Sequence, residues 1–330
     1  MLKTNTEQHM RTLYPDIEPF HSQLLSCEEM PDGRRHEVYF EQCGNPQGIP
    51  VIFLHGGPGS GCRPQHRCYF DPELYHIILF DQRGCGRSLP AGELEHNTTD
   101  YLIADMEAIR KLLNIDKWML FGGSWGATLA LAYARQHPQN VSNMVLRGTF
   151  LGRQQDINWV YAAGGASRVF AEAWHELVKD LPESEQNSPL AYFYQKLTHP
   201  DVSQQVNAAN TLQNWEATIV MLRDQHYQPD AEQSPGPLAH SRIQLHYALN
   251  NCFLADQPLL ESIESINHIP ATIIHGRYDM VCPMQQSWEV YQRWPNAQFE
   301  VLPMAGHAAS EPAIIDALVR TTDQLASKLI

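Results

Sequence analysis

Ser124 stands in the pattern Gly-x-Ser-x-Gly at residues 122–126. An apolar run at 118–121 predicts a short buried strand before the pattern, and helical sequence follows it at 128–136. A strand that turns this sharply into a helix strains its central residue and presents that residue's side chain at the helix N-terminus, where partial positive charge favours a developing anion. The alternative is a glycine-rich turn whose serine only caps the helix. The strand before and the helix after the pattern favour Ser124 as a nucleophile.

A serine hydroxyl needs a general base to take its proton, and that base needs a carboxylate to orient it. In proteins with this strand–turn–helix arrangement the partners follow in the chain order Ser, acid, His, on loops after later strands. A strand-like run at 271–275 leads into Asp279, and another at 298–302 leads into His307. We therefore predict a triad of Ser124, Asp279 and His307.

Each partner of Ser124 has a competing structural interpretation. The chain has 16 histidines, but His307 follows a glycine directly after the last predicted strand and precedes the final helix. His55 and His275 are its rivals, although each ends a strand inside a turn motif, where a structural role is favoured. Asp279 competes with the turn or capping role that is usual for an aspartate in a loop.

Stabilisation of an oxyanion requires two fixed hydrogen-bond donors. The backbone N–H of Trp125, directly after the nucleophile, is one candidate, and the glycine-rich loop at 55–59 after an early strand offers the other. We predict Gly57 for this role because a residue without Cβ lets the backbone approach the substrate closely. A purely geometric need for glycine in this turn is compatible with that role. The motif DQRGCGRS at 81–88 is predicted to support the site structurally, with no chemical step for its arginines.

The order of the predicted elements indicates the fold class. Residues 20–43 alternate loosely and turn at 31–33, which is typical of a hairpin. Further strand-like runs lie at 50–54, 77–80, 118–121, 143–146, 271–275 and 298–302, with helical patterns at 102–113, 128–136 and 314–329. Strands that alternate with helices pair in parallel within a sheet covered on both faces. We predict an α/β fold with a mostly parallel central sheet and its site beyond the carboxyl ends of the strands.

The middle of the chain differs from both ends. Strand-like runs nearly vanish at 150–260, where aromatic residues appear among helical patterns interrupted by prolines, most loosely at 225–240. Most of these aromatic side chains are expected to be core, and a few to line a pocket. We predict an α/β core formed by residues 1–149 and 261–330, with residues 150–260 inserted as a helical cap.

Composition excludes several classes of protein. Hydrophobic residues make up 43% and charged residues 18% of the 330 positions, as in a globular protein with a buried core. No apolar stretch reaches the length of a membrane span, residues 1–14 lack a signal-peptide pattern, and a net charge of −14 argues against nucleic acid. Seven cysteines, an odd number without a CxxC spacing, predict reduced thiols in a cytoplasm and no metal site. We also expect no membrane partner.

Four motifs together resemble one family. HGGPGSG (55–61), DQRGCGRS (81–88), GGSWGATLALAY (122–133) and HGRYDMVC (275–282), with the closing Gly-His, are similar to those of prolyl aminopeptidases, also called proline iminopeptidases. These are α/β-hydrolases with a helical cap that remove N-terminal proline from peptides. The resemblance runs over nearly the whole chain. It implies the α/β-hydrolase fold, the same triad and oxyanion donors, and no cofactor.

The resemblance also implies roles for residues of the cap and the pocket. Glu216 lies in a segment similar to the cap motif whose glutamate binds the substrate's free amino group, although an ordinary solvated helix residue is the alternative. Phe150 and Cys282 fall where the family has residues of the proline pocket. Gln244 stands where the family usually has a second amine-binding glutamate. Because a glutamine offers no charge, we expect weaker amine recognition here.

The implied partner is a peptide with a free N-terminal proline, and no oligomeric state is predicted. A carboxylesterase or small-amide hydrolase of the same fold is one alternative, which Gln244 makes plausible. A non-enzymatic ligand-binding module on a hydrolase fold is the other, and the complete triad argues against it.

Overall fold

The computed structural model describes residues 10–220 and 236–329. In these two ranges eight strands form one sheet in the order β1-β2-β4-β3-β5-β6-β7-β8. The strands are His21–Glu29 (β1), Arg35–Gly44 (β2), Ile49–Leu54 (β3), Tyr75–Phe80 (β4), Trp118–Gly123 (β5), Val141–Arg147 (β6), Ala271–Gly276 (β7) and Ala297–Leu302 (β8). The hairpin β1–β2 and the pair β2–β4 are antiparallel, and all other pairs are parallel. The predicted α/β class and mostly parallel sheet are confirmed.

The sheet is covered on both faces because its central strands are apolar on both sides. In β3, Val51 and Ile52 are both fully buried, and they belong to different hydrophobic clusters because successive side chains point to opposite faces. The Ile52 face packs against α1 (Thr99–Leu112), α2 (Trp125–Gln136), α8 (Leu259–Ile266) and α9 (Gln285–Gln292). The Val51 face packs against α10 (Pro312–Leu329). A sheet enclosed in this way exposes mainly its edges and the loops at its ends.

The helices described between β6 and β7, apart from α8, form a second packed group. They are α3 (Gln154–Tyr161), α4 (Ala171–Val178), α5 (Leu190–Leu197), α6 (Val202–Val220) and α7 (Gly236–Leu249). Leu177, Leu212 and Leu245 are among the buried side chains of a hydrophobic cluster that these helices share. Residues 236–240, predicted as part of a loose segment, are helical, whereas 221–235 lie outside the described residues. The division of the chain into a core and a cap at residues 150 and 260 stays a prediction.

The turns that follow β3, β4 and β5 meet at one end of the sheet. A Cβ on Gly56 would stand 3.6 Å from Ser124 Cβ, and a Cβ on Gly61 would stand 2.8 Å from Gly86 Cα. Such close approach brings the three glycine-rich motifs together at the carboxyl ends of the parallel strands. Among residues 10–220 and 236–329, no helix has both the length and the hydropathy needed to cross a membrane.

Candidate active site

Ser124 occupies the single residue between β5 and α2. Its backbone has φ 58° and ψ −123°, an unusual conformation for a residue with a side chain. Nearby glycines make the turn possible, because a Cβ on Gly126 would collide with the carbonyl oxygen of Leu54 in the neighbouring strand. The strained turn places Ser124 directly before the first turn of α2, as the Gly-x-Ser-x-Gly pattern predicts.

Asp279 and His307 come together from the loops that follow β7 and β8. His307 Nδ1 and Asp279 Oδ2 lie 2.7 Å apart. Asp279 Oδ1 accepts the backbone N–H groups of Val281 at 3.0 Å and Cys282 at 2.7 Å. Burial alone would raise the pKa of Asp279, but the attraction and hydrogen bond of His307, with the Cys282 N–H, hold that pKa below its ordinary value. An ionised carboxylate can only accept, so His307 Nδ1 carries the proton and Nε2 has the lone pair, with only a long contact of 3.4 Å to Arg147 Nη1.

The thiol of Cys282 lies between the serine and the Asp279–His307 pair. Ser124 Oγ is 4.0 Å from Cys282 Sγ, and that sulfur lies within 4.8 Å of ligand atoms of both Asp279 and His307. Among the hydrogen bonds of the described residues none joins Ser124 to His307. Catalytic hydrogen bonds commonly tighten only when substrate is bound. The structure therefore brings the three predicted triad residues into one site without closing the serine–histidine contact.

His55 and His275, the rival histidines, both serve the surrounding structure. His275 is fully buried between Ser287 Oγ and the backbone oxygen of Cys282, each 2.7 Å from a ring nitrogen. His55 is buried between the backbone oxygen of Gly56 at 2.9 Å and the backbone nitrogen of Gln82 at 3.1 Å. Burial lowers the pKa of both imidazoles. With both ring nitrogens occupied, neither histidine is available as a base.

The loop that carries Gly57 lies beside the serine. Gly57 has φ 111°, and its neighbour Gly56 approaches Ser124 as described above. Trp125 is the first residue of α2, where backbone N–H groups have no partner within the helix. Trp125 thus directly follows Ser124, and Gly57 directly follows the glycine that approaches Ser124.

The motif at 81–88 is held by ion pairs inside the protein. Asp81 Oδ2 accepts Arg87 Nε at 2.7 Å, and Asp81 Oδ1 accepts the backbone N–H of Cys62 at 2.6 Å. Arg83 pairs with Asp105 at 2.7 Å and with Glu28 at 2.6 Å. These contacts tie the turn after β4 to its neighbours and agree with the structural role predicted for it.

Glu216 on α6 faces other polar side chains of the helical segment. Tyr161 Oη donates to its Oε1 at 2.7 Å, and Gln213 Nε2 lies 3.4 Å from its Oε2. Burial raises the pKa of Glu216 to about 7, against the lowering effect of hydrogen bonds from Tyr161 and Gln244. Gln244 Oε1 is buried without a hydrogen-bond partner among the described residues. Glu216 is therefore not an ordinary solvated helix residue, and the two residues implied by the family resemblance share one polar site.

Phe150 lies where the sheet and the helical segment meet. Its ring is partly buried against both the main cluster on the sheet and the cluster of the helical segment. Its backbone oxygen accepts Thr128 Oγ1 at 2.7 Å, which fixes the chain as it leaves the sheet. With Cys282 beside Ser124, the two predicted pocket residues lie at the site and at the edge of the helical segment.

Helix α7 packs directly on the glycine-rich turns. A Cβ on Gly59 would stand 2.7 Å from His240 Cδ2 and 2.8 Å from the His240 backbone oxygen. The rings of Trp125 and Tyr247 meet edge to face with centroids 4.8 Å apart. The same helix carries Gln244, so one rigid element contacts the loop of Gly57 and also contributes to the polar site around Glu216.

Two side chains of the site carry no motif and were not assigned from the sequence. Arg147 ends β6, with Nη1 2.9 Å from the His307 backbone oxygen and 3.4 Å from His307 Nε2. Tyr161 closes α3 and holds Glu216. An arginine at the carboxyl end of a buried strand is the signal that could have pointed to Arg147. Tyr161 was one aromatic residue among many.

Two groups of side chains have donor atoms close enough for a metal ion. They are Asp279, Cys282 and His307, and also Cys27, Glu28 and Asp105. In the first group Asp279 and His307 are already hydrogen-bonded to each other. In the second group both carboxylates are paired with Arg83. These donors are engaged within the protein, so neither group fits a dedicated metal site.

The fold of this chain is shared with known proteins. A family model described as the alpha/beta hydrolase fold matches residues 49–313. A solved structure of a probable hydrolytic enzyme from Pseudomonas aeruginosa is 15% identical, covers 98% of this chain and 96% of its own, and has a TM-score of 0.58. An esterase from Exiguobacterium antarcticum is 22% identical with a TM-score of 0.55, over 93% and 98% of the two chains. At these identities the structures show the shared fold alone.

Curated relatives identify the family more narrowly. The chain is 45% identical to the proline iminopeptidase of Xylella fastidiosa, over 95% of this chain and 99% of the relative. It is 43% identical to that of Arabidopsis thaliana, over 98% and 84%, and 41% identical to that of Neisseria gonorrhoeae, over 96% and 100%. The chain therefore belongs to the α/β-hydrolase fold family and, within it, to the family of the proline iminopeptidases. The resemblance found in the four motifs is confirmed.

Proposed function

We propose that the protein is a serine-type aminopeptidase that releases the N-terminal proline of peptides. The observation that carries the proposal is the polar site around Glu216, whose carboxylate has only uncharged partners among residues 10–220 and 236–329. Gln244 Oε1 adds a buried acceptor without a partner in the described residues. Buried acceptors without a charged partner favour a cation that has N–H donors. The free secondary ammonium of an N-terminal proline supplies the positive charge and the N–H donors.

The reaction proceeds through an acyl-enzyme. Ser124 Oγ attacks the carbonyl carbon of the first peptide bond, and its proton passes to His307 Nε2. Collapse of the tetrahedral intermediate breaks the C–N bond, and the proton on Nε2 leaves with the peptide amine. Water then attacks the prolyl ester of Ser124 by the same route, releasing proline and restoring the hydroxyl. Asp279 holds His307 in the tautomer with a free Nε2 and stabilises the imidazolium.

The negative charge on the carbonyl oxygen is stabilised by backbone N–H groups of Trp125 and Gly57. Two positions support this role: Trp125 begins α2 directly after the serine, and Gly57 follows Gly56, which approaches Ser124. Loss of one such donor costs about 2.7–4 kcal/mol of transition-state stabilisation. Phe150 and Cys282 border the space for the proline ring, and Glu216 and Gln244 hold its nitrogen. Anchoring the free nitrogen restricts cleavage to the first residue.

The cysteines also support a cytoplasmic location for the enzyme. All seven cysteines are unpaired thiols. Reduced thiols are typical of proteins that remain in the cytoplasm. We place the enzyme there, acting on small peptides as a hydrolase without a cofactor.

The direct test compares three substrates, which are a proline anilide, its N-acetylated form and an alanine anilide. The wild type should prefer free proline, because acetylation removes the charge that Glu216 binds. Glu216→Gln should lower kcat/KM for free proline by about tenfold to a hundredfold, the range for hydrogen bonds to charged groups. Gln244→Glu should increase the preference for the free amine at pH 8, because it adds a charged acceptor.

Glu176→Gln is the matched control for Glu216→Gln. Glu176 is an exposed residue on α4 that pairs with Lys179, so its substitution should leave all three rates unchanged. Equal turnover of the acetylated substrate would contradict the proposal and leave a carboxylesterase or small-amide hydrolase. Absence of turnover, together with failure of Ser124 to react with a phosphonofluoridate, would indicate a binding module.

A further inference from the structure

Arg147 is a half-buried cation at the reaction centre. It ends β6, and its guanidinium packs against Gly123, directly before the nucleophile. Nη1 donates to the His307 backbone oxygen at 2.9 Å and lies 3.4 Å from His307 Nε2. These contacts fix the position of one end of the guanidinium beside the imidazole.

Among the ion pairs of the described residues, none involves Arg147. Arginines elsewhere in the core are neutralised, as when Arg67 pairs with Glu41 at 2.7 Å and Arg83 with Asp105 at 2.7 Å. The chain carries a net charge of −14, so acidic residues are abundant. A partly buried guanidinium without a carboxylate partner in the described residues favours an anionic group brought by a ligand.

We propose that Arg147 binds the carboxylate of the residue that follows the scissile bond, which makes dipeptides with N-terminal proline the preferred substrates. The inference rests on the proposed aminopeptidase function. His307 Nε2 delivers a proton to the leaving nitrogen, so that nitrogen comes within about 3 Å of Nε2. In a dipeptide the carboxylate carbon is two bonds from the leaving nitrogen, which places its oxygens next to Arg147.

Longer peptides place a different group at this position. Their second residue continues into an amide, whose carbonyl oxygen carries no net charge. A charge-assisted hydrogen bond is about twice as strong as a neutral one, and the planar guanidinium matches the two oxygens of a carboxylate. The side chain therefore distinguishes a chain end from a chain interior directly after the scissile bond.

A purely structural role for Arg147 is the competing interpretation. Through its bond to the His307 backbone oxygen it positions the imidazole, and a loss of that bond would slow every substrate alike. Carboxylate binding affects only those substrates that have the carboxylate. The ratio of rates for matched substrates with and without this group separates the two roles.

The experiment measures kcat/KM for Pro-Ala, Pro-Ala amide and a proline anilide in the wild type, Arg147→Gln and Arg147→Lys. The wild type should prefer Pro-Ala over its amide by about tenfold to a hundredfold. Arg147→Gln should bring that ratio close to one, and Arg147→Lys should give an intermediate ratio because it keeps the charge without the planar fork. An equal fall for all three substrates, or a wild-type ratio near one, overturns the proposal.

A binding measurement keeps the test independent of turnover. In Ser124→Ala, the dissociation constants of Pro-Ala and Pro-Ala amide are compared by calorimetry with and without Arg147→Gln. Tighter binding of the acid that is lost in the double variant supports the proposal, and equal binding of the two contradicts it. Proline anilide has no carboxylate, so its turnover by the wild type tests the aminopeptidase function separately, and failure of one proposal is distinguishable from failure of the other.

Discussion

Asp279 in the core and Glu216 in the helical segment are both carboxylates that burial makes harder to ionise, yet their pKa values move in opposite directions. Asp279 has a cationic partner available in His307 and two backbone N–H donors, and its pKa is lowered. Glu216 has a tyrosine hydroxyl and side-chain amides, which do not compensate for burial, and its pKa rises to about 7.

The difference shows which interactions are completed within the protein. Asp279 is fully satisfied before any substrate arrives, as befits a group that must hold an imidazole in one tautomer. None of the described residues places a positive charge on Glu216, so a cationic ligand gains an attraction that they do not supply. In the proposed mechanism, the interactions of Asp279 are complete within the protein, whereas the amine site at Glu216 is completed only by its ligand.

The largest expected effect is the loss of activity when the Asp279–His307 interaction is removed. Asp279→Asn should lower kcat by about 10⁴-fold, because an amide favours the wrong tautomer of His307. Steady-state kinetics with the proline anilide measures the loss, and an unchanged melting temperature shows that the fold persists. A loss of less than tenfold would mean that His307 does not depend on Asp279.

The second largest expected effect is the pH dependence of amine binding at Glu216. Below about pH 7 Glu216 takes up a proton, so binding of prolinamide should weaken by up to about tenfold for each further pH unit. Above about pH 8 the amine of the ligand loses its proton, so binding should weaken again. Calorimetric titration of Ser124→Ala measures this without hydrolysis.

Ser124→Ala with Glu216→Gln is the matched control for this titration. A neutral side chain at 216 has no proton to take up near pH 7, so the decline on the acid side should disappear. If the decline persists in the double variant, another group controls amine binding.

The smallest effect concerns stability. The pKa of Glu216 rises from about 4.3 in an unfolded chain to about 7 in the fold. Between these values the folded state binds more protons, so stability falls as pH rises through this window, and the cost persists above it. Glu216→Gln should therefore raise the melting temperature by a few degrees at pH 8 and leave it unchanged at pH 4. An equal rise in Glu176→Gln would attribute the effect to net charge instead.

The sequence predicts more of the site in the α/β core than in the helical segment. The turn at Ser124 was predictable because the glycines that it requires are its immediate neighbours in the chain. Asp279 and His307 were predictable because chain order and strand ends restrict the candidates. Glu216 was indicated only by family resemblance, since its partner Tyr161 is 55 residues away and no local pattern joins them.

Arg147 shows that prediction from the sequence is limited in the α/β core as well. Its importance depends on which loops converge at the end of β6 and on the absence of an acidic partner in the described residues, both of which are properties of the assembled fold. Patterns within one segment report local geometry and burial. Contacts between distant segments that have no fixed spacing cannot be deduced from them.

Helix α7 also sets a length. Gln244 and His240 are four residues apart on this helix, so about 6 Å along its axis separates the side chain proposed to bind the amine from the side chain that lies against Gly59. A second residue before the bond to be cut would lengthen an extended peptide by about 3.3–3.6 Å and, with its nitrogen anchored, would move that bond away from Ser124. In the proposed mechanism the helix thus measures a single residue between the bound nitrogen and the bond to be cut.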